Sequence, residues 1–535
     1  MVHWIDATAQ KILNKYINKD ILHFSGGLSV RGIQHIGRLR GELFIGGAIK
    51  EILETQGKKV IQYLVIYDRD PIPEKALKKV FKDESQVRLL SYKRLEDLPD
   101  PYECCNSWVE HFWKEFGNYL HEFKCEPTIV RTSELYRSSS MQNVVKEIIS
   151  KREKVREISN KYRGENPHPE GWIPFVPICN NCGKIRFVEA KDVDLEDGKI
   201  LYECKNCNTI GESKLTEGKL EWRLEWPALW KALDIEFEPY GKDHAAAGGS
   251  RESSSLIAKE VLNIEPPFGF PYEWVSLKIY GKDLGEMTAS GFVGITPKEW
   301  LSIAEPEVLR FFYLFAKPMS HLQVDIDNLP LMVDRFDRAE RVYYGLEGIK
   351  GEDKSYYKRT YELAVKKPSA KPPLRIPYSH ASLVSQIVGI SGKYSEAIRR
   401  LKKTGHIPLD ATDENLCCVY NRLAKAYTWT MKYAPERYKI RISDEIEEIR
   451  SKLSPVQKEF LASLAKYLES SVEVKGLDVH NTVYSIAQDK KVKASILFEA
   501  GYIALFNRNF GPRFGELIAT LDKEFVVKRF KEVSS

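Results

Sequence analysis

The stretch from Phe24 to Tyr67 constrains the fold of this chain more than any other. A Ser/Gly-rich run, Phe24-Ser25-Gly26-Gly27-Leu28-Ser29-Val30-Arg31-Gly32, leads into Ile33-Gln34-His35-Ile36-Gly37-Arg38. An amphipathic helix is expected from Glu42 to Thr55, then a buried strand from Lys59 to Tyr67, closed by Asp68-Arg69-Asp70-Pro71. Strand, glycine turn, helix and strand in that order open a doubly wound α/β sheet, because a parallel neighbour is reached only through a crossover. Ahead of it, Ile5, Ala9, Ile12, Leu13, Tyr16 and Ile17 recur at helical spacing and predict a leader helix over residues 1 to about 20.

The chain has 535 residues, too many for one hydrophobic core, so three or four domains are expected. With 43% hydrophobic and 29% charged residues it has the composition of a folded protein and not of a disordered one. No run approaches the ~20 apolar residues of a membrane span, and the N-terminus lacks the pattern of a signal peptide. A cytoplasmic protein with no membrane contact is the expectation. The net charge of +6 permits a polyanionic partner without demanding one. Residues 141–163 read as a charged helix, Trp222–Ser290 as a return to α/β character, and everything from about 296 as helical. A lysine- and proline-rich linker is expected around 349–376, and packed helices over Ser382–Arg400, Glu414–Tyr433 and Pro455–Glu469.

Four of the nine cysteines form two pairs, Cys179-x-x-Cys182 and Cys204-x-x-Cys207. Two tight knuckles carrying four thiolates have the spacing that tetrahedral zinc requires. Four protein ligands leave no open position, so the zinc would be structural. Both pairs must be accidental for the cysteines to be unmetallated.

Three further segments carry chemistry. His35-Ile36-Gly37-Arg38 starts a helix behind a glycine turn, where unpaired backbone N–H groups and an imidazole suit a phosphate. The plainer reading of so short a motif is a surface turn. Trp222-Arg223-Leu224-Glu225-Trp226-Pro227 places two tryptophans around a carboxylate, which suits a cationic side chain. Tyr240-Gly241-Lys242-Asp243-His244 and Gly248-Gly249-Ser250 then place small and polar groups at the carboxyl end of a strand, where open α/β sheets bind ligands. Taken singly, each piece is as well explained by an aromatic core with a solvated turn.

In this order the segments resemble the class I, archaeal-type, lysyl-tRNA synthetase family. The likeness continues through Glu305-Pro306-Glu307-Val308-Leu309-Arg310-Phe311 to Phe510-Gly511-Pro512-Arg513-Phe514-Gly515 and so covers nearly the whole chain. It implies a Rossmann-like catalytic domain over 1–295 with a zinc-binding insertion at about 100–215. A helical connecting region over 296–375 and a helical anticodon-binding domain over 376–535 would follow. The activity implied is ATP-dependent activation of lysine, with Mg²⁺, and transfer to tRNA(Lys) by a monomer. Gly32, His35, Gly37, Gly241, Asp243 and His244 would hold ATP, while Glu42, Trp222, Glu225, His244 and Tyr272 would line the lysine pocket. His35, Gly37, Arg38, Met287 and Ser290 would carry catalysis, the last two on a mobile loop. The family's Asp-Pro-aromatic-x-Cys-His stretch matches Asp100, Cys104, Cys105 and His111, with cysteine for the first histidine, and implies a second zinc. Tyr502, Phe506, Arg508, Phe510, Arg513 and Lys528 would supply aromatic and basic contacts to the anticodon.

The chain departs from the family where ATP would bind. The helix motif ends in Arg38 in place of His or Asn, and the loop Glu286-Met287-Thr288-Ala289-Ser290 lacks both lysines of the Lys-Met-Ser-x-Ser-Lys pattern. Lys278, Lys282, Arg31 and Arg38 are candidates to replace them. Two readings follow: a working lysine–tRNA ligase, or a paralogue that keeps fold and RNA binding without lysine adenylation.

Overall fold

A computed structural model describes residues 2–350, 353–389 and 394–535. Its central strand, Lys59–Ile66, is apolar and buried along its second half, as a strand covered on both faces must be. On one edge Ile21 to Phe24 pair in parallel with Lys59 to Gln62, and after a break at Ser25-Gly26 the pairing resumes at Gly27–Val65. On the other edge Thr128–Arg131 pairs in parallel with Tyr63–Ile66. Beyond the first strand, Phe24 bridges to Phe237 and Phe237 to Phe268, both in parallel, and Tyr240–Gly241 pairs with Pro271–Tyr272. The chain thus leaves the first strand toward one side and later returns on the other. That reversal opens a crevice at the strands' carboxyl ends.

The crossover helix departs from the expected start at Glu42. A tight turn over Ile36–Leu39 is followed by a wide π turn over Arg40–Ile45 and a regular helix over Gly46–Thr55. Such wide turns recur at functional sites, and this one carries Glu42. The glycines before it are required by close approach: a Cβ on Gly26 would lie 1.8 Å from Glu42 Cγ, and one on Gly27 2.4 Å from Tyr67 Cε2. The wholly buried Arg40 anchors the turn by donating to the carbonyls of Glu273, Lys317, Pro318 and Ser320.

A second small sheet joins Val275–Ile279 to Lys282–Glu286 in antiparallel and to Leu322–Asp325 in parallel fashion. Helices follow. One bundle packs Pro306–Phe315, Leu329–Tyr343 and Asp413–Lys432 against the α/β core, and a separate apolar core joins Pro455–Ser470, Ala494–Phe506 and Lys523–Ser534. In the first bundle the fully buried Arg422 binds Glu305 at 2.9 Å and Asp337 at 2.5 Å. Among the described residues no helix is long and apolar enough to cross a membrane.

Three expectations change. The segment around 349–376 is not simply a linker: Asp353–Val365 is a helix that buries Tyr361, Leu363 and Ala364. Its lysines face outward while its apolar positions keep helical spacing. The expected helix Ser382–Arg400 is two, Tyr378–Val388 and Tyr394–Lys403, and residues 390–393 lie outside the described part. The insertion expected at about 100–215 is interrupted by Thr128–Arg131, which belongs to the main sheet. The cysteine module itself is a three-stranded antiparallel sheet of Val188–Asp194, Lys199–Cys204 and Ile210–Lys214.

Candidate functional site

A cavity of about 650 Å³ lies in the crevice where the strand order reverses. The first strand contributes Gly27 to Ser29, and the helix start contributes His35, Gly37, Arg38 and Glu42. The strand Tyr240–Gly241 and the two residues before it contribute Glu238 to Gly241, and the turn after it Asp243 and His244. Trp222, Trp226 and Tyr272 close the sides, and Glu286 to Ser290 cover the mouth.

The separate sequence motifs prove to hold one another. Arg223 donates to the carbonyls of Gly248 and Gly249 and to Ser253 Oγ, fixing the glycine turn. Ser250 at the end of that turn lies 2.6 Å from His244 Nδ1. Gly249 has no room for a side chain, since a Cβ would sit 2.6 Å from the carbonyl oxygens of His244 and Ala246. His244 is thereby held with its ring 5.1 Å from that of Trp226, and burial draws its pKa below the usual value.

Two carboxylates face this aromatic enclosure. Glu42 accepts from Tyr272 OH at 2.8 Å, and burial raises its pKa to about 7. Glu238 accepts from Trp226 Nε1 at 2.9 Å and Trp230 Nε1 at 2.5 Å, and burial raises its pKa as well. Buried acids with raised pKa values in a concave pocket mark a binding site for a group that repays their desolvation. Glu238 was not among the expected residues. Its signal was its place just after the bridging Phe237 and before Pro239-Tyr240-Gly241.

Glu225 corrects an expectation. It is fully buried outside the cavity, paired with Lys219 Nζ at 2.8 Å and accepting from Tyr136 OH at 2.8 Å. Lys219 also pairs at 2.6 Å with Asp70, whose other oxygen takes Arg31 at 3.0 Å. Asp70 and Arg31 do line the cavity. Gly32 does not, but a Cβ there would strike Ala289 O at 2.4 Å, so it seats the 286–290 loop against the first turn.

On the opposite side His35 is buried with Nδ1 unpartnered, and burial, aided by the Arg38 charge, pulls its pKa well down. A Cβ on Gly37 would meet His35 Nδ1 at 2.9 Å and Met287 Cε at 3.3 Å, so glycine keeps this floor open. Arg38 lines the cavity with Nε buried and unpartnered. Glu286, at the place of an expected lysine, pairs with Lys242 at 2.9 Å, and Lys242 also holds Glu273 at 2.6 Å. Lys278 pairs with Asp325 at 3.2 Å, and neither it nor Lys282 lines the cavity.

The four cysteines converge as their spacing implied. Their sulfurs lie within 4.8 Å of one another, with Cys179–Cys207 at 3.5 Å and Cys182–Cys204 at 3.7 Å. Zinc–sulfur bonds of ~2.3 Å in a tetrahedron place sulfurs ~3.8 Å apart, so the donor set fits. Gly183 and Asn208, with φ of 70° and 57°, close the two knuckles in the left-handed conformation. The other expected cluster also converges: Cys104 Sγ is 3.2 Å from His111 Nδ1, which is 3.1 Å from Asp100 Oδ1. Here Lys114 Nζ approaches the sulfurs of Cys104 and Cys105 at 2.9 and 3.2 Å, and Asp100 is engaged by the backbone N–H groups of Tyr102, Cys104 and Cys105. Its donor set could hold a second metal ion, with the Lys114 ammonium lying beside the sulfurs.

At the C-terminal end Phe506 is buried, and Tyr502 donates to Pro512 O at 2.5 Å. Arg508 lies over Phe506 and the exposed Phe510, while Arg513 and Lys528 are exposed.

A family model described as tRNA synthetases class I (K) matches residues 2–367. The lysine–tRNA ligase of Aeropyrum pernix is 39% identical, over 100% of this chain and 98% of that protein. That of Methanocaldococcus jannaschii is 33% identical and that of Methanococcus maripaludis 31%, each over 99% of both chains.

Proposed function

The chain belongs to the class I tRNA synthetases (K), and from that membership we propose that it is a lysine–tRNA ligase whose substrates are ATP, lysine and tRNA(Lys). The observation that carries the amino-acid assignment is the pair of buried carboxylates, Glu42 and Glu238, inside an aromatic enclosure beside a cradle of glycines and cations. Lysine brings two ammonium groups to such a site. Aromatic faces and carboxylates both favour them, and a desolvated carboxylate left without a cation is costly.

In this reading Glu42, Glu238, Tyr272, Trp222, Trp226 and His244 bind the amino acid. His35, Gly37, Arg38, Gly241 and Asp243 receive the nucleotide, which enters with its Mg²⁺. The Met287–Ser290 segment closes over the phosphates. A lysine carboxylate oxygen attacks the α-phosphorus of ATP and pyrophosphate leaves. A ribose hydroxyl of the tRNA 3′ end then attacks the lysyl carbonyl and AMP leaves. His35, neutral through burial, donates one N–H to a phosphate oxygen, and Arg38 supplies positive charge. The cysteine module holds zinc as a structural clamp. Phe510, Arg513 and Lys528 offer an exposed aromatic and basic surface to the anticodon, with the partly buried Arg508 stacked against Phe510. A paralogue without adenylation finds its ground in Glu286, but Lys242 already neutralises that carboxylate.

Charging of tRNA(Lys) with radiolabelled lysine tests the assignment. Lysyl-tRNA is the expected product, and charging with another amino acid in its place would refute the reading. The site also predicts a pH dependence. An ammonium binds the ionised form of Glu42, whose folded-state pKa stands at about 7. As pH falls through that value the carboxylate is protonated, so KM for lysine should rise by up to about tenfold per pH unit. Glu42→Gln should raise KM and flatten this profile. A wild-type KM that does not change between about pH 8 and pH 6 would remove Glu42 from the ammonium contact.

A further inference from the structure

Apart from the cavity and both cysteine clusters, two histidines and a carboxylate meet where the two helical cores join. His380 lies on the helix Tyr378–Val388, His406 in the turn after Tyr394–Lys403, and Glu516 on the helix Phe514–Thr520. Neighbours of His380 and His406, namely Ala381, Leu401 and Ile407, belong to the first core, whereas Phe514 and Leu517 belong to the second. The imidazole rings stack with centroids 3.6 Å apart and planes 8° from parallel. His380 Nδ1 lies 3.8 Å and His406 Nε2 3.6 Å from the same oxygen, Glu516 Oε2.

These separations are too long for hydrogen bonds. His380 is nonetheless 5% exposed, and among the described residues neither of its ring nitrogens has a partner. A buried imidazole with no partner at either nitrogen calls for one. Donors on a tetrahedral ion with bonds of ~2.0–2.1 Å stand ~3.4 Å apart; the two histidine–carboxylate separations exceed this by only a few tenths of an ångström, and the three donor atoms all lie within 4.8 Å of one another. His406 already has its other nitrogen, Nδ1, 2.8 Å from Thr404 Oγ1, the outer contact that orients a ligating imidazole. The carboxylate is seated by a glycine: a Cβ on Gly476, at the start of the helix Gly476–Asp489, would lie 2.7 and 3.0 Å from the two Glu516 oxygens.

We propose that His380, His406 and Glu516 form a binding site for a divalent transition-metal ion of the zinc class, which ties the first helical bundle to the C-terminal one. Nitrogen and carboxylate donors in this number suit zinc with a fourth position left to water. The ligands are ready to bind at neutral pH. Burial, reinforced by His406, lowers the His380 pKa to about 3, and burial lowers that of His406, so no imidazole proton has to be displaced. The site stands independently of lysine activation.

The test uses the full chain and the metal alone. Cobalt(II) exchanged into the purified protein should give thiolate charge-transfer absorption from the cysteine module. A second ligand-field component without thiolate character should come from this site. His406→Gln and the nearly isosteric Glu516→Gln should each remove the second component and leave the first, weakening zinc binding at this site at least about 100-fold. Zinc added to wild type should raise the melting temperature of the C-terminal region, and the variants should lose that response. Cobalt spectra and zinc stoichiometry identical in wild type and Glu516→Gln would overturn the proposal. Glu516→Gln changes one atom of a side chain that is 33% exposed, so the comparison does not depend on His406→Gln folding.

Discussion

Replacing Arg38 by alanine is expected to slow lysine-dependent ATP–pyrophosphate exchange by about 10²–10³ while leaving the chain folded. The loop that would carry two lysines in the family pattern has Glu286 at the first, held by Lys242 at 2.9 Å, and no lysine at the second. Of the four cations that could replace them, Lys278 is committed to Asp325, and Lys282 lies on an exposed strand away from the cavity. Arg31 faces the cavity but shares its charge with Asp70 at 3.0 Å. Arg38 faces it with a buried, unpartnered Nε, and desolvation weakens its hold on the proton while Glu42 opposes that loss. A guanidinium in that position gains most when a phosphate arrives. The loss in Arg38→Ala should appear in kcat and in KM for ATP with KM for lysine little changed, and Arg38→Lys should recover part of it. Exchange by Arg38→Ala within about threefold of wild type, or a loss confined to KM for lysine, would contradict this role.

The second large effect is expected from the cysteine module. Stripping its metal, or the change Cys204→Ser, should unfold the segment that runs from the knuckles to Lys219. Among the described residues Lys219 is the only salt-bridge partner of Glu225 and one of two for Asp70, so its displacement would leave buried carboxylates short of a counter-charge. Burial works against the Lys219 charge, yet Asp70 and Glu225 hold its pKa up to about 12, the signature of a tightly committed cation. Removing one member of a buried ion cluster typically costs about 3–5 kcal/mol, because the remaining charges stay buried. Asp70 also positions Arg31 at the cavity wall. Chelation should therefore reduce exchange at least about tenfold, with recovery on adding zinc, and Lys219→Met should reproduce the loss with the metal still bound. Full activity in the metal-free protein would show that module and cavity are uncoupled.

Much of this architecture was legible because the decisive signals are local. A glycine turn between two apolar runs fixed the first crossover, and Cys-x-x-Cys spacing fixed the knuckles. What escaped was set by tertiary contact. Thr128–Arg131 is short, polar at its edges and half exposed, so only its pairing with Tyr63–Ile66 identifies it as a sheet strand. Asp353–Val365 is disguised by its charged residues, and it is held by the burial of Tyr361, Leu363 and Ala364, with Tyr361 donating to Glu340 at 2.8 Å. Glu225 was assigned to the pocket because it sits between two tryptophans in sequence. On the helix, Trp222 and Trp226 share a face, whereas Glu225 lies roughly a quarter turn from Trp226 and reaches Lys219 instead. A carboxylate that does line the cavity, Glu238, follows the Phe237 bridge twelve positions after Trp226 and accepts from that ring's N–H.

Lysine activation in a cavity whose loop carries no lysine is the step on which the proposed function turns. ATP–pyrophosphate exchange by the metal-loaded wild-type protein, measured with lysine and with each other amino acid, tests it most directly. Exchange should depend on lysine, slow by about 10²–10³ in Arg38→Ala and fall strongly in Glu42→Gln. A folded, metal-loaded protein that supports no lysine-dependent exchange, with or without tRNA(Lys), would contradict it.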